Sequence, residues 1–79
     1  MDQHREKIET AVAERLAPLL KTDGGSIEIA RFDEATWEIT VRFGGAYRGS
    51  PCRDTITKYV VEPILKKAVS EKIHVDWID

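Results

Sequence analysis

The residues best suited to chemistry lie in one short segment, residues 44–52, with the sequence GGAYRGSPC. We call this segment the ligand loop. Its candidate site residues are Gly45, Tyr47, Arg48, Gly49 and Ser50, and Cys52, the only cysteine of the chain, is a candidate metal ligand. A thiolate binds soft metals and acts as a nucleophile, whereas a guanidinium binds carboxylates and phosphates. The loop therefore predicts metal, thiol or anion chemistry.

Three interpretations of the ligand loop stay open from its residues. In the simplest, it is a strand-to-helix turn in which the glycines adopt positive φ and Ser50 and Pro51 begin a helix. In the second, Arg48 and Arg53 hold a phosphate or carboxylate near the start of that helix. In the third, Cys52 is a redox-sensitive thiolate in the first helical turn.

Other chemistries find no support in the sequence. No serine, histidine and acid are grouped as in a catalytic triad, and no two carboxylates have the spacing of an acid/base dyad, so we expect no enzyme. Gly44, Gly45 and Gly49 never stand three apart, as the Gly-x-x-Gly clamp of a KH domain requires. The net charge of −2 gives no general attraction to nucleic acid or anionic membranes.

The segment before residue 26 predicts a helix. Apolar residues recur at helical spacing over residues 3–20, namely Ile8, Val12, Leu16, Leu19 and Leu20. Pro18 removes one amide donor, so we expect the helix to kink or end there. The glycines of residues 23–25 (DGG) then stop the helix, since glycine accepts the left-handed conformation that closes helices.

Two strands and a second helix surround the ligand loop. Residues 26–32 and 36–43 alternate between apolar and polar, and we expect Trp37 to point inward from the second strand. The second helix begins at Ser50 and Pro51, with a kink at Pro63. Its predicted buried stripe consists of Ile56, Val60, Ile64 and Ala68, flanked by Tyr59 and Leu65. A last strand places Ile73, Val75 and Trp77 on one face.

This order predicts an α+β fold, a two-layer sandwich in which a three-stranded mixed sheet packs against two helices in the order α-β-β-α-β. Strand order stays open. With 79 residues we expect a single domain over residues 1–79. A lone cysteine favours a reducing compartment, and no apolar run reaches the length of a membrane span, so we expect a cytoplasmic protein.

The element order, residues 23–25 and the loop GAYRGSP of residues 45–51 resemble the NifU C-terminal (NFU) domain family, over about residues 8–78. The corresponding family loop reads Gly-Ala-Cys-x-Gly-Cys-Pro. The resemblance implies paired subunits whose Cys-x-x-Cys motifs hold a shared iron–sulfur cluster, which is assembled there or handed to other proteins. Here the two cysteine positions are Tyr47 and Ser50, whose neutral hydroxyls are poorer ligands for iron–sulfur units than thiolates. His4 and His74 are the other side chains that could supplement these ligands.

We therefore expect a non-catalytic NifU-like protein of iron–sulfur cluster assembly or delivery that holds no family-type cluster. Its expected partners are iron–sulfur assembly proteins or cluster-receiving apoproteins, with neither nucleic acid nor membrane. One alternative is a labile iron or iron–sulfur cluster held through Cys52 in a homo-oligomer. Another is a small-anion or thiol redox-sensing module that uses Arg48 and Cys52.

Overall fold

Helices and strands follow one another in the predicted order α-β-β-α-β in the computed structural model, which describes residues 3–78. Helix α1 (residues 3–21) consists of the α-helical segment Gln3–Ala11, the wider π-helical turn Val12–Leu16 and the α-helical segment Ala17–Lys21. Helix α2 (residues 53–68) likewise consists of Arg53–Ile56, the π-helical turn Thr57–Val61 and Glu62–Ala68. The strands are β1 (Gly25–Asp33), β2 (Glu38–Gly45) and β3 (His74–Ile78).

The three strands form one mixed sheet in the order β1-β2-β3, which the sequence left open. β1 and β2 form an antiparallel hairpin, with an irregular register between Ile29 and Arg31. β3 runs parallel to β2, because helix α2 carries the chain back along the sheet between them. The predicted α+β class is confirmed.

Both helices pack against one face of the sheet. Ile8 and Leu16 of α1 and Leu65 of α2 are fully buried, and they join Ile39 and Val75 of the sheet in a single apolar core. Strand alternation places the polar residues of β2, which are exposed or half-buried, on the opposite face. Within residues 3–78, no helix combines the length and apolar character needed to cross a membrane.

In each helix a widened turn precedes a proline, Pro18 in α1 and Pro63 in α2. The amide of Ala17 donates to the carbonyl of Val12, and the amide of Glu62 donates to that of Thr57, five residues back in each case. Because the next residue is proline, a normal turn would bring its ring against the carbonyl four residues earlier, and the wider turn relieves that contact. Of the two outcomes expected at Pro18, the end of the helix is wrong: the helix widens and continues to Lys21.

The buried stripe of α2 differs by one position from the predicted one. Thr57, Val61 and Leu65 are fully buried, whereas Ala68 is exposed. The other three residues of the predicted stripe, Ile56, Val60 and Ile64, are half-buried at the edge of the core. Because Thr57 is polar, nothing in the sequence indicated that it lies in the core. Its burial is possible because its hydroxyl donates to the carbonyl of Arg53 at 2.8 Å.

Trp37 lies in the hairpin loop and not on the second strand, which begins at Glu38. Its φ of 60° places it in the left-handed region, which interrupts strand geometry. Its carbonyl accepts the amide of His74 at 2.9 Å, and its ring contacts the ring of His4 edge-on, with 4.8 Å between centroids. The other predicted inward tryptophan, Trp77, is half-buried on β3.

Side chains of α2 cover part of the open edge of the sheet at β3. A carboxylate oxygen of Glu62 accepts the amide of Val75 at 3.0 Å, and the ammonium of Lys58 donates to the carbonyl of Val75 at 3.4 Å. Burial alone raises the pKa of Glu62, but this hydrogen bond and the charges of Lys66 and Lys58 outweigh it and lower the pKa below its ordinary value. The ionised form of Glu62 therefore stabilises the fold.

Candidate functional site

The ligand loop joins the end of β2 to the start of α2 through two tight turns. The amide of Arg48 donates to the carbonyl of Gly45 at 3.1 Å, and the amide of Ser50 donates to that of Tyr47 at 3.0 Å. Gly45 and Gly49 have φ values of 60° and 76°. A side chain on Gly45 would also overlap the carbonyl of Gly24, so glycine is required there by both conformation and space.

The loop is tied to the turn between α1 and β1, residues 22–24. The amide of Ala46 donates to the carbonyl of Gly24 at 3.0 Å. Gly24 itself has a φ of 79° and its amide closes α1 by donating to Lys21 at 2.9 Å. Two glycine-containing turns, far apart in sequence, therefore hold each other in place.

The Tyr47 side chain folds back over the contact between these two turns and does not project into solvent. Its hydroxyl donates to Oδ2 of Asp23 at 2.7 Å. Its half-buried ring covers the backbone of Gly25, where a Cβ would overlap it, and lies 6.1 Å from the ring of Phe43 between centroids. The hydrogen bond to Asp23 raises the pKa of Tyr47, and burial and the charges of Asp23 and Cys52 raise it further. The side chain is thus neutral and engaged within the chain.

Ser50 caps the turn that leads into α2. Its hydroxyl accepts the amide of Cys52 at 3.1 Å. The helix itself begins at Arg53, three residues later than the predicted start, because Pro51 and Cys52 form a separate turn. The amide and the guanidinium of Arg53 both approach the carbonyl of Ser50, at 3.4 and 3.0 Å. The prediction that Ser50 caps the helix is wrong: the N-cap position is Cys52, which makes no side-chain capping hydrogen bond, and the Ser50 hydroxyl serves the preceding turn.

Arg53 is positioned by a third contact. Its guanidinium carbon lies 4.3 Å from the centroid of the Trp77 ring, which is within cation–π range. Nε1 of Trp77 approaches Oδ1 of Asp54 at 3.5 Å, the outer limit of a hydrogen bond. Arg53 is thereby held beside the loop.

Cys52 is exposed and its thiol is free. The two histidines that the sequence offered as supplementary ligands lie elsewhere. His74 pairs with Glu38 at the start of β2, and His4 contacts Trp37 and Glu34 in the hairpin loop. Since β2 rises by about 3.4 Å per residue, its far end lies roughly 24 Å from the ligand loop. Over residues 3–78, no three histidine, cysteine, aspartate or glutamate side chains are grouped as a metal ion requires.

The structure thus places Gly45, Tyr47, Ser50 and Cys52 in one loop, but their polar atoms point in different directions. Sequence reasoning missed Asp23, the partner of Tyr47, because the two residues lie 24 positions apart and the aspartate precedes two glycines that already explain a helix end. It also missed Arg42, which lines the same surface as Arg48 and Arg53. The alternating pattern of β2 placed Arg42 on the exposed face, but gave no sign that the loop bends toward it.

The family model described as NifU-like domain matches residues 8–76. No curated protein matches the chain.

Proposed function

Because the chain belongs to the NifU-like domain family, we propose that it serves iron–sulfur cluster assembly or delivery as a single, non-catalytic domain that holds no cluster at the Tyr47 and Ser50 positions. The family is one of scaffolds and carriers associated with cluster assembly. The match covers most of the chain, including the ligand loop. The proposal adds that this member of the family holds no cluster at these two positions.

The hydrogen bond between Tyr47 and Asp23 carries the proposal. A cluster ligand must direct its donor atom toward the iron, yet the Tyr47 hydroxyl donates to Asp23 at 2.7 Å and its ring rests on Gly25. The hydrogen bond to Asp23 raises the pKa of Tyr47 and so disfavours the phenolate, the form in which tyrosine binds iron. The residue therefore stabilises the loop and is a poor ligand.

The second position supports the same conclusion. The Ser50 hydroxyl accepts the Cys52 amide, so one of its two lone pairs serves the turn. Four thiolates normally hold a cluster, and two copies of this chain would supply one thiolate each, from Cys52. The donors present do not fit a family-type cluster.

The shape of the loop supports a role in docking. Its glycines, turns and helix start remain in place although the thiolate positions carry other side chains. We propose that this surface meets iron–sulfur assembly proteins or cluster-receiving apoproteins, and that the protein acts as an adaptor between them.

Anaerobic reconstitution with iron and sulfide tests the proposal. The wild-type protein should emerge from desalting without a visible cluster chromophore. A chromophore that survives desalting in the wild type and is lost in Cys52→Ala would replace the proposal with the alternative in which Cys52 holds a labile cluster in a homo-oligomer. Measuring mass by light scattering in the same samples reports whether copies associate.

A further inference from the structure

We infer that two copies of this chain pair through helix α1, with the two helices antiparallel and in contact along one face. The contact surface is a groove between α1 and the end of α2, and we call it the α1 groove. Four charged side chains and three small residues, Thr10, Ala11 and Ala68, line it. The inference does not rest on the proposed function, since the α1 groove contains no residue of the ligand loop.

The charges of the α1 groove have no partners within the described chain. They are carried by the exposed residues Glu6, Lys7, Glu14 and Arg15. Within residues 3–78, none of these four side chains forms an ion pair or a hydrogen bond. On the neighbouring face of the same helix, Arg5 pairs with Glu9, four residues further along. In the groove, the position four residues from each charge toward the middle of the helix carries Thr10 or Ala11 instead.

The order of these charges fits a second copy of the same helix. A two-fold axis that crosses α1 midway between residues 10 and 11 places Glu6 opposite Arg15 of the second copy. The same axis places Lys7 opposite Glu14 of the second copy. Each pair occurs twice by symmetry, so all eight charges meet an opposite charge. Because the groove carries two positive and two negative charges, it has no net attraction to a purely acidic or purely basic ligand.

The charges also specify the register of the pairing. An axis on Thr10 itself would bring Glu6 against Glu14 of the second copy. An axis on Ala11 would bring Lys7 against Arg15. Like charges therefore disfavour both neighbouring registers, whereas the register between them has only opposite charges in contact.

The shape of α1 keeps these residues on one face. In a regular α-helix four residues advance by slightly more than one turn, so a row of residues four apart drifts around the helix. The wider turn Val12–Leu16 reduces this drift, and the charges before and after the middle of the helix line a single groove. The short side chains of Thr10, Ala11 and Ala68 between them leave room for a second helix to approach.

Analytical ultracentrifugation of the full chain, in iron-free buffer with a thiol reductant, tests the inference. These conditions prevent association through a Cys52 disulfide or a shared cluster. One helix face is smaller than a standard interface, so the wild type should pass from monomer to dimer between about 10 μM and about 2 mM protein. A monomer over this whole range would overturn the inference.

Charge exchange tests the pairing itself. Arg15→Glu and Glu6→Arg, made separately, should each weaken the dimer about tenfold or more, because each removes two equivalent ion pairs worth up to about fivefold apiece. The double variant Glu6→Arg, Arg15→Glu restores opposite charges across the axis and the net charge of the wild type. It should dimerise at least about fivefold more tightly than either single variant.

Arg31→Glu is the matched control, because Arg31 is an exposed arginine of β1 outside the α1 groove. It makes the same change in net charge as Arg15→Glu and should leave the dimer unchanged. Equal weakening by these two variants would reduce the effect to overall charge and overturn the inference. A double variant no tighter than the single ones would overturn it too, as would loss of the dimer in Cys52→Ala, which would assign association to the ligand loop.

Discussion

Replacing Tyr47 by phenylalanine isolates the hydrogen bond that ties the ligand loop to the Asp23 turn. The substitution keeps the ring over Gly25 and beside Phe43 and removes only the hydroxyl. A hydrogen bond to a charged group contributes about 1.5–3 kcal/mol when the partner stays buried and unsatisfied. Asp23 is exposed and regains water in the variant, so we expect a loss of about 1 kcal/mol.

Urea unfolding measures this loss, and the other tyrosine provides the matched control. Tyr59 is 79% exposed, so Tyr59→Phe should change the free energy of unfolding by less than about 0.5 kcal/mol. In a domain of this size, 1 kcal/mol corresponds to a fall in Tm of roughly 4–8 °C. The double-mutant cycle of Tyr47→Phe with Asp23→Asn should return a coupling energy of about 1 kcal/mol.

The pH dependence gives a second readout of the same bond. The pKa of Tyr47 is raised above 10.0 in the folded protein, so its contribution is fully present below pH 10 and is lost as pH rises through the raised pKa. The wild type and Tyr47→Phe should therefore converge in stability above about pH 10. Equal effects of Tyr47→Phe and Tyr59→Phe at neutral pH, or a coupling energy near zero, would refute the account of the loop.

Three further outcomes are expected. Gly25→Ala should lower the free energy of unfolding by about 1–3 kcal/mol because its Cβ meets the Tyr47 ring. Most of that loss should vanish in a Tyr47→Ala background, and an undiminished loss in that background would argue against the contact. Glu62→Gln should destabilise the protein by about 1 kcal/mol at neutral pH relative to Glu14→Gln at an exposed site. Because the pKa of Glu62 is lowered from 4.5, that difference should shrink as pH falls through the lowered value, and a pH-independent difference would contradict the role of its charge. Cys52→Ser should change stability by less than about 0.5 kcal/mol since the thiol is exposed, and a larger loss in urea unfolding would place Cys52 in the packing.

The element order and the mixed sheet were predictable because each element carries a local signal. Alternation in β1 and β2 and the glycine stop after α1 are read from neighbouring residues. The buried face of α2 was not predictable in this way, since Thr57 lies in the core with its hydroxyl hydrogen-bonded to a carbonyl of its own helix. The widened turns before Pro18 and Pro63 also lie beyond simple periodicity, which treats proline as a break.

The loop residues were found from sequence, but the directions of their side chains were not. The resemblance identified Tyr47 and Ser50 as replacements for thiolates, and the hydrogen bond from Tyr47 to Asp23 depends on how two distant turns meet. The surface shared by Arg42, Arg48 and Arg53 likewise combines residues from a strand, a loop and a helix. Such juxtapositions arise from tertiary structure and leave no mark on local spacing.

The iron content of the reconstituted protein tests the central claim most directly, by comparing the wild type with the double variant Tyr47→Cys, Ser50→Cys. The double variant restores two thiolates at the loop positions and should retain iron, sulfide and a visible chromophore after anaerobic desalting. The wild type, treated identically, should retain none. Equal iron and sulfide in the two proteins would contradict the claim that Tyr47 and Ser50 have removed cluster binding from this loop.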